Sequence, residues 1–276
     1  MKIRLSDVDI NVETVPSEEG AIPVIFLHGF TGSFSDWQFL FQKLPRGYTP
    51  YAIDLVGHGK SSIPSDPSLY SAQAITKQML ELIDYLQLDK VILAGYSMGG
   101  RAALAFALEH PHRLKGLILE SSTAGIIDES QRQERRASDF SLADFIEHNP
   151  LERFVDYWMN LPLFASQKKL SEEVYAGIRQ SKMKNSPRGL ANSLRGFSTG
   201  IMPQMWDKLQ AITCRTLLIS GELDAKFTNI NAAISRIIRH SVHEVIEGSG
   251  HNTHLEKPVF FLNLLYEYLT GLLKES

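Results

Sequence analysis

A single cysteine, Cys214, stands among 276 residues. It cannot close an internal disulfide, so the chain is not a stapled secreted scaffold and suits a reducing compartment. No apolar run approaches the roughly 18 residues of a membrane span. The opening Met1-Lys2-Ile3-Arg4 carries charge where a signal peptide is apolar. These absences predict a cytoplasmic protein without stable membrane insertion. Charge of one sign is also missing. With 28 basic residues, 31 acidic residues and a net charge of -3, the chain lacks the basic excess of a dedicated nucleic-acid binder. There is no H-E-x-x-H, no cysteine pair and no G-x-x-x-x-G-K-[ST] in the sequence. Neither a metal centre nor a phosphate cradle is indicated, and no cofactor is expected. A small molecule is the expected partner, and the sequence is silent on oligomeric state.

What is present is an ordinary globular balance, 43% hydrophobic and 21% charged. Short β-rich runs alternate with helix-length segments, which predicts a mostly parallel sheet with helices on both faces. The expected strands are 3–5, 9–13, 24–27, 51–54, 91–94, 116–119, 216–220 and 242–246. The first two lie too close for a crossover helix and should pair antiparallel. Val24 to Leu27 and Val91 to Ala94 are continuously apolar, as strands covered on both faces are. Ser71 can cap a helix with Ile75, Met79, Leu82 and Leu86 on one face, and Pro258 opens a C-terminal helix with the stripe Leu262, Leu265, Leu269 and Leu272.

The alternation breaks from about Ile126 to Gln210, where helical patterns are punctuated by Pro150, Pro162, Pro187 and Pro203. This predicts a core of residues 1–125 and 211–276 with a helical cap, 126–210, inserted at the carboxyl edge of the sheet, where open α/β sheets bind ligands.

Gly95-Tyr96-Ser97-Met98-Gly99 follows the apolar strand at 91–94 and precedes an expected helix over Gly100 to Glu109. Strand, G-x-S-x-G, helix is the context of a nucleophile elbow, which thrusts a serine hydroxyl out of a tight turn at a helix N-terminus. Ser97 is therefore the candidate nucleophile or base. A serine hydroxyl needs a histidine to take its proton, and the histidine needs a carboxylate to fix its tautomer. Two downstream loops offer them. Gly221-Glu222-Leu223-Asp224 follows one expected strand and Gly248-Ser249-Gly250-His251 another. Asp224 and His251 are the expected pair, with Glu222 and His254 as rivals. His58, His110 and His112 read as structural.

Five stretches now carry a resemblance: Leu27-His28-Gly29-Phe30-Thr31-Gly32, Asp54-Leu55-Val56-Gly57-His58-Gly59, Gly95 to Arg101, Gly221 to Phe227, and Gly250-His251-Asn252. The whole chain resembles the α/β-hydrolase-fold proteins. The arginine after the double glycine and Lys226-Phe227 after the acid narrow the resemblance to MenH-like 2-succinyl-6-hydroxy-2,4-cyclohexadiene-1-carboxylate (SHCHC) synthases. It implies an eight-stranded sheet, the triad Ser97, Asp224 and His251, and an oxyanion hole from the backbones of Phe30 and Met98. It also implies substrate binding by Arg101, and within the cap by Arg135, Arg179 and Trp158. Tyr96 could add a hydroxyl donor or simply pack. Arg132 and Arg136 lie too near Arg135 for helix register to choose among them.

The activity implied is that of a lyase of menaquinone biosynthesis, eliminating pyruvate from SEPHCHC to give SHCHC. That substrate carries several carboxylates, which need cations once out of water. Residues 168–208 hold eight basic residues against three acids, a positive stretch in an otherwise acidic chain. The alternative is a serine hydrolase, a carboxylesterase or C–C bond hydrolase, using the same triad; a non-catalytic hydrolase-fold receptor is a more distant reading.

Overall fold

The computed structural model describes residues 1–16 and 18–274. Eight strands form one sheet: β1 (Lys2–Arg4), β2 (Asp9–Thr14), β3 (Ile22–Leu27), β4 (Tyr48–Ile53), β5 (Val91–Tyr96), β6 (Leu114–Glu120), β7 (Arg215–Gly221) and β8 (Ser241–Ile246). Their spatial order is β1-β2-β4-β3-β5-β6-β7-β8. β1 and β2 enter antiparallel, and every pairing from β4 through β3 to β8 is parallel. This is the α/β-hydrolase fold.

All six residues of β5 are buried, and Val24 to Leu27 of β3 are at most 1% exposed. Continuous apolarity is what a parallel strand roofed on both faces requires. β4 begins three residues earlier than expected because Pro50 is tolerated there. Pairing with β2 starts only at Tyr51, so the missing proline N–H interrupts no bond on that side.

On the faces lie α1 (Ala72–Tyr85), α2 (Met98–Glu109), α7 (Ala225–Ile237) and α9 (Pro258–Lys274), with the short α8 (Thr253–Glu256) before the last. Ser71 caps α1, its hydroxyl accepting from the Ala74 N–H at 3.2 Å. The buried stripe of α9 is Phe261, Leu265, Tyr268, Leu269 and Leu272. Leu262 is only partly buried, a correction of the expected stripe. Two aromatics take the inner positions, and the Tyr268 hydroxyl donates to Arg215 O at 2.7 Å while accepting from Leu117 N at 3.0 Å, tying α9 to β6 and β7.

Between β6 and β7 run α3 (Glu129–His148), α4 (Leu151–Met159), α5 (Glu172–Lys182) and α6 (Pro187–Phe197). They enclose their own apolar cluster of Ala143, Ile146, Phe154, Val155, Met159, Leu190, Ala191 and Leu194, distinct from the two clusters flanking the sheet. Phe30, from the loop after β3, packs on this cluster and on the core beneath it. Among the described residues, no helix is long and apolar enough to cross a membrane.

Candidate active site

The carboxyl ends of β5, β7 and β8 bring three distant side chains together. Ser97 follows β5 with φ 49° and ψ -102°, a left-handed backbone that costs a non-glycine residue energy and marks a functional turn. The turn is so tight that α2 starts at Met98, two residues before the expected Gly100. Only glycine fits beside it. A Cβ on Gly95 would collide with the Gly99 carbonyl, and one on Gly99 with the Leu27 carbonyl. The Ser97 N–H donates to Glu120 O at 2.8 Å, which pins the turn to β6.

His251 Nε2 lies 3.0 Å from Ser97 Oγ, and its Nδ1 lies 2.6 Å from Asp224 Oδ2. With a carboxylate acceptor at Nδ1, the proton of a neutral imidazole sits there and Nε2 faces the hydroxyl as an acceptor. Asp224 and His251 are both buried. Asp224 also caps α7 through the Phe227 N–H, which holds the carboxylate in place.

The rivals have other partners. Glu222 accepts from Gly248 N at 2.9 Å. His254 is fully buried, its Nδ1 2.6 Å from Glu120 Oε2 and its ring stacked on Trp37 at 4.1 Å. Burial alone would raise the Glu120 pKa, but the charge of His254 and hydrogen bonds from His254 and Thr253 outweigh it and hold the group lowered. This Glu120–His254 pair was not foreseen.

Ser97 and His251 open into a cavity of about 310 Å³ that Phe30, Tyr96, Met98, Arg101, Arg135, Trp158 and Lys226 also line. Three of its lining residues are cations, and none is a carboxylate. Arg101 is partly buried, donating to Phe197 O and lying over the Phe197 ring at 4.9 Å. Among the described residues it has no ion pair. Burial first, then the nearby Arg135 cation, presses its pKa down to about 9 against the opposing pull of Asp139. Arg135 is paired with Asp139 at 2.7 Å. Met98, as the first residue of α2, has an N–H with no acceptor inside the helix. Burial, then the Glu120 carboxylate, keeps the Tyr96 phenol well above its ordinary pKa, so it stays a neutral donor.

Three cavity-lining residues carry buried polar atoms without a protein partner: Trp158 Nε1, Ser198 Oγ and Thr199 Oγ1. Buried donors left unmade are costly, so such atoms point to a ligand. Ser198 and Thr199 escaped the sequence reading because two hydroxyls after a helix form no motif.

Arg179 is not brought to this cavity. It is half-exposed on α5 and paired with Glu152 at 2.7 Å and Asp156 at 2.9 Å. Arg195 is likewise held by Asp144 and Glu147. Two of the eight basic residues of 168–208 are thus held by carboxylates of α3 and α4 and not by the cavity. Of the three neighbouring arginines on α3, Arg132 pairs with Glu129, Arg136 lies over Phe140, and only Arg135 lines the cavity.

The profile of the family described as alpha/beta hydrolase fold matches residues 22–258, and the chain belongs to that family. A Bacillus subtilis (strain 168) protein, provisionally named 2-succinyl-6-hydroxy-2,4-cyclohexadiene-1-carboxylate synthase, is 42% identical over 249 residues, covering 90% of each chain. The structure of MenH from S. aureus superposes with a TM-score of 0.89 at 33% identity, covering 96% of this chain and 98% of its own. Within the fold, the chain therefore belongs to the SHCHC synthase family. A thermophilic esterase from Thermogutta terrifontis, solved with malate bound, follows at TM-score 0.86 and 26% identity, covering 99% and 98%.

Proposed function

We propose that this protein is an SHCHC synthase, a lyase of menaquinone biosynthesis that eliminates pyruvate from SEPHCHC. The observation that carries this reading is a Ser–His–Asp array opening into a cavity with three cations and no carboxylate. Such a lining favours a polyanion over the neutral ester of a general esterase.

In the proposed mechanism, Ser97 passes its hydroxyl proton to His251 Nε2, and Asp224 stabilises the imidazolium at Nδ1. The serine oxygen then takes the proton of the ring carbon that bears the succinyl arm, which the ketone carbonyl of that arm acidifies. The electron pair left behind forms a new double bond, the ring alkene shifts, and the C–O bond to the enolpyruvyl group breaks. The departing enolpyruvyl oxygen takes the proton from His251 and ketonises to pyruvate, so atoms and charge balance without a cofactor. The backbone N–H groups of Phe30 and Met98 stabilise the negative charge developing on the carbonyl oxygen of the succinyl arm. Arg101 and Arg135 hold substrate carboxylates, with Tyr96 and Trp158 as donors on the wall.

Residues 126–210 act as the cap that roofs the site, over a core of 1–125 and 211–276. The lone Cys214 suits a cytoplasmic setting, and the lack of basic excess argues against a nucleic-acid partner. The test is pyruvate release from SEPHCHC in a coupled assay, beside simple esters. Ser97→Ala should lose about 10²- to 10⁴-fold of the elimination while still binding substrate. Ester turnover without pyruvate would overturn the reading.

A further inference from the structure

Beside the cavity at Ser97 lies a second of about 490 Å³. Phe30, Tyr96 and Phe164 line both, so the two cavities adjoin. The second chamber is built from the loop after β3, from α5 and from α8. Its sides are largely apolar, with Phe39, Val174, Ile178 and Leu255 among them. Lys182, the last residue of α5, also lines it.

Lys182 is placed for a reason the surface lysines lack. Its Nζ donates to Thr31 Oγ1 at 2.8 Å, and Asn185 Nδ2 donates both to Thr31 O and to Lys182 O, which clamps the end of α5 to the loop after β3. An ammonium has three donors, and here a neutral hydroxyl is its hydrogen-bond partner. No ion pair joins it among the described residues. Burial lowers its pKa, and Asp36 acts on it from beyond salt-bridge distance, pulling the other way. A partly buried cation without a counter-ion is costly, and a ligand anion removes that cost. Lys43 is a second cation on the same lining and Asp36 its one carboxylate, which leaves the chamber with a net positive charge.

An apolar channel with an unpaired ammonium suits a short alkyl stem tipped by an anion. The reaction proposed above involves such a group: its product keeps a 2-succinyl arm, so the substrate carries a carboxylate at the end of an alkyl chain. We infer that the second chamber is the subsite for this arm, with Lys182 receiving its carboxylate, while Arg101, Arg135 and Lys226 serve the carboxylates nearer the reacting ring. This rests on the SHCHC synthase reading. Lys182 thereby selects substrates by the acid at the tip of the arm.

The test compares SEPHCHC with an analogue in which the succinyl carboxylate is a primary amide, following pyruvate release by the wild type, Lys182→Met and Lys182→Arg. Lys182→Met should lose about 10- to 100-fold in kcat/KM on SEPHCHC, mostly through KM, the size expected for one charge-assisted hydrogen bond. Lys182→Arg should recover most of it. The wild type should lose a similar factor on the amide, and Lys182→Met should scarcely distinguish acid from amide. If Lys182→Met still prefers the acid as strongly as the wild type does, the lysine is not the partner of the arm. Should Lys182→Met fail to fold, Ile178→Trp, which fills the chamber and keeps the ammonium, must slow both substrates; an unchanged rate overturns the subsite. Wild-type enzyme releasing no pyruvate from either substrate would instead refute the reading on which the subsite rests.

Discussion

Arg101 is held in the folded protein at a cost. Its guanidinium is partly buried, bonded to a backbone carbonyl rather than a carboxylate, and depressed in pKa first by burial and then by Arg135. A cation kept in that state is worth more to a ligand than to the fold, the usual trade between stability and function. Arg101→Met should therefore lower kcat/KM for pyruvate release by about 10- to 100-fold, while its melting temperature is no lower than that of the wild type. A fall of several degrees with turnover intact would make Arg101 a brace for Phe197 O instead. Glu120 works in the opposite sense. Its carbonyl accepts from Ser97 N, and its carboxylate from Thr253, His254 N and His254 Nδ1. One residue thus ties the elbow to the segment carrying His251. Removing one partner of a buried pair costs about 3–5 kcal/mol. Glu120→Gln should lower both stability and kcat, with KM nearly unchanged, in thermal melts and steady-state kinetics. Lower stability with an unchanged kcat would leave Glu120 a purely structural residue.

At the scale of elements, the inserted helices stand on a cluster of their own. Phe154 is fully buried in it, its ring 6.3 Å from Phe30 and 5.8 Å from Trp158. Phe154→Ala should cost about 3–5 kcal/mol, most of it local to α3–α6. Amide exchange should quicken in those helices while β3, β5 and β6 keep wild-type protection, and activity should vanish at a lower denaturant concentration than sheet circular dichroism. Loss of both in a single transition would show that the insertion and sheet unfold as one unit. The same elements show what could be read beforehand. β5 was legible because its apolar run is local and unbroken, and the triad because each member follows a recognisable strand. The start of α2 was not, since Gly99 and Gly100 are poor helix formers and only the close approach of Leu27 and Ser122 explains them. Arg179 and Lys182 lie three residues apart on α5, and only tertiary packing turns one toward Glu152 and the other toward Thr31. The Glu120–His254 pair joins residues 134 apart in sequence, a contact that no local spacing encodes.

For the whole molecule, acid is the condition that should test how the sheet and the helices α3–α6 hold together. His58 is fully buried on the loop after β4, its ring 5.0 Å from His28 and 6.0 Å from Phe30, which in turn meets Trp158 and Phe154 of the insertion. Burial, then the proximity of His28, lowers its pKa to about 3. The unfolded chain takes this proton near pH 6.5, whereas the native state refuses it until about pH 3. Below pH 6.5 the unfolded state therefore binds more protons, and stability falls with pH by up to about 1.4 kcal/mol per unit. His243, half-buried and also lowered, adds a loss of the same sign. Glu120 contributes only further down. Its pKa is lowered from 4.5, so the stability it supplies is present above that value and is lost as pH falls through the folded pKa. Denaturant melts between pH 6.5 and 4.5 should thus show a falling stability in which His58 is the main term. His58→Gln should flatten that slope whatever it does to stability at neutral pH, and a slope identical to the wild type would refute the account. Because Phe30 lies between His58 and the helical insertion, the wild type should lose pyruvate release on acidification before the sheet unfolds.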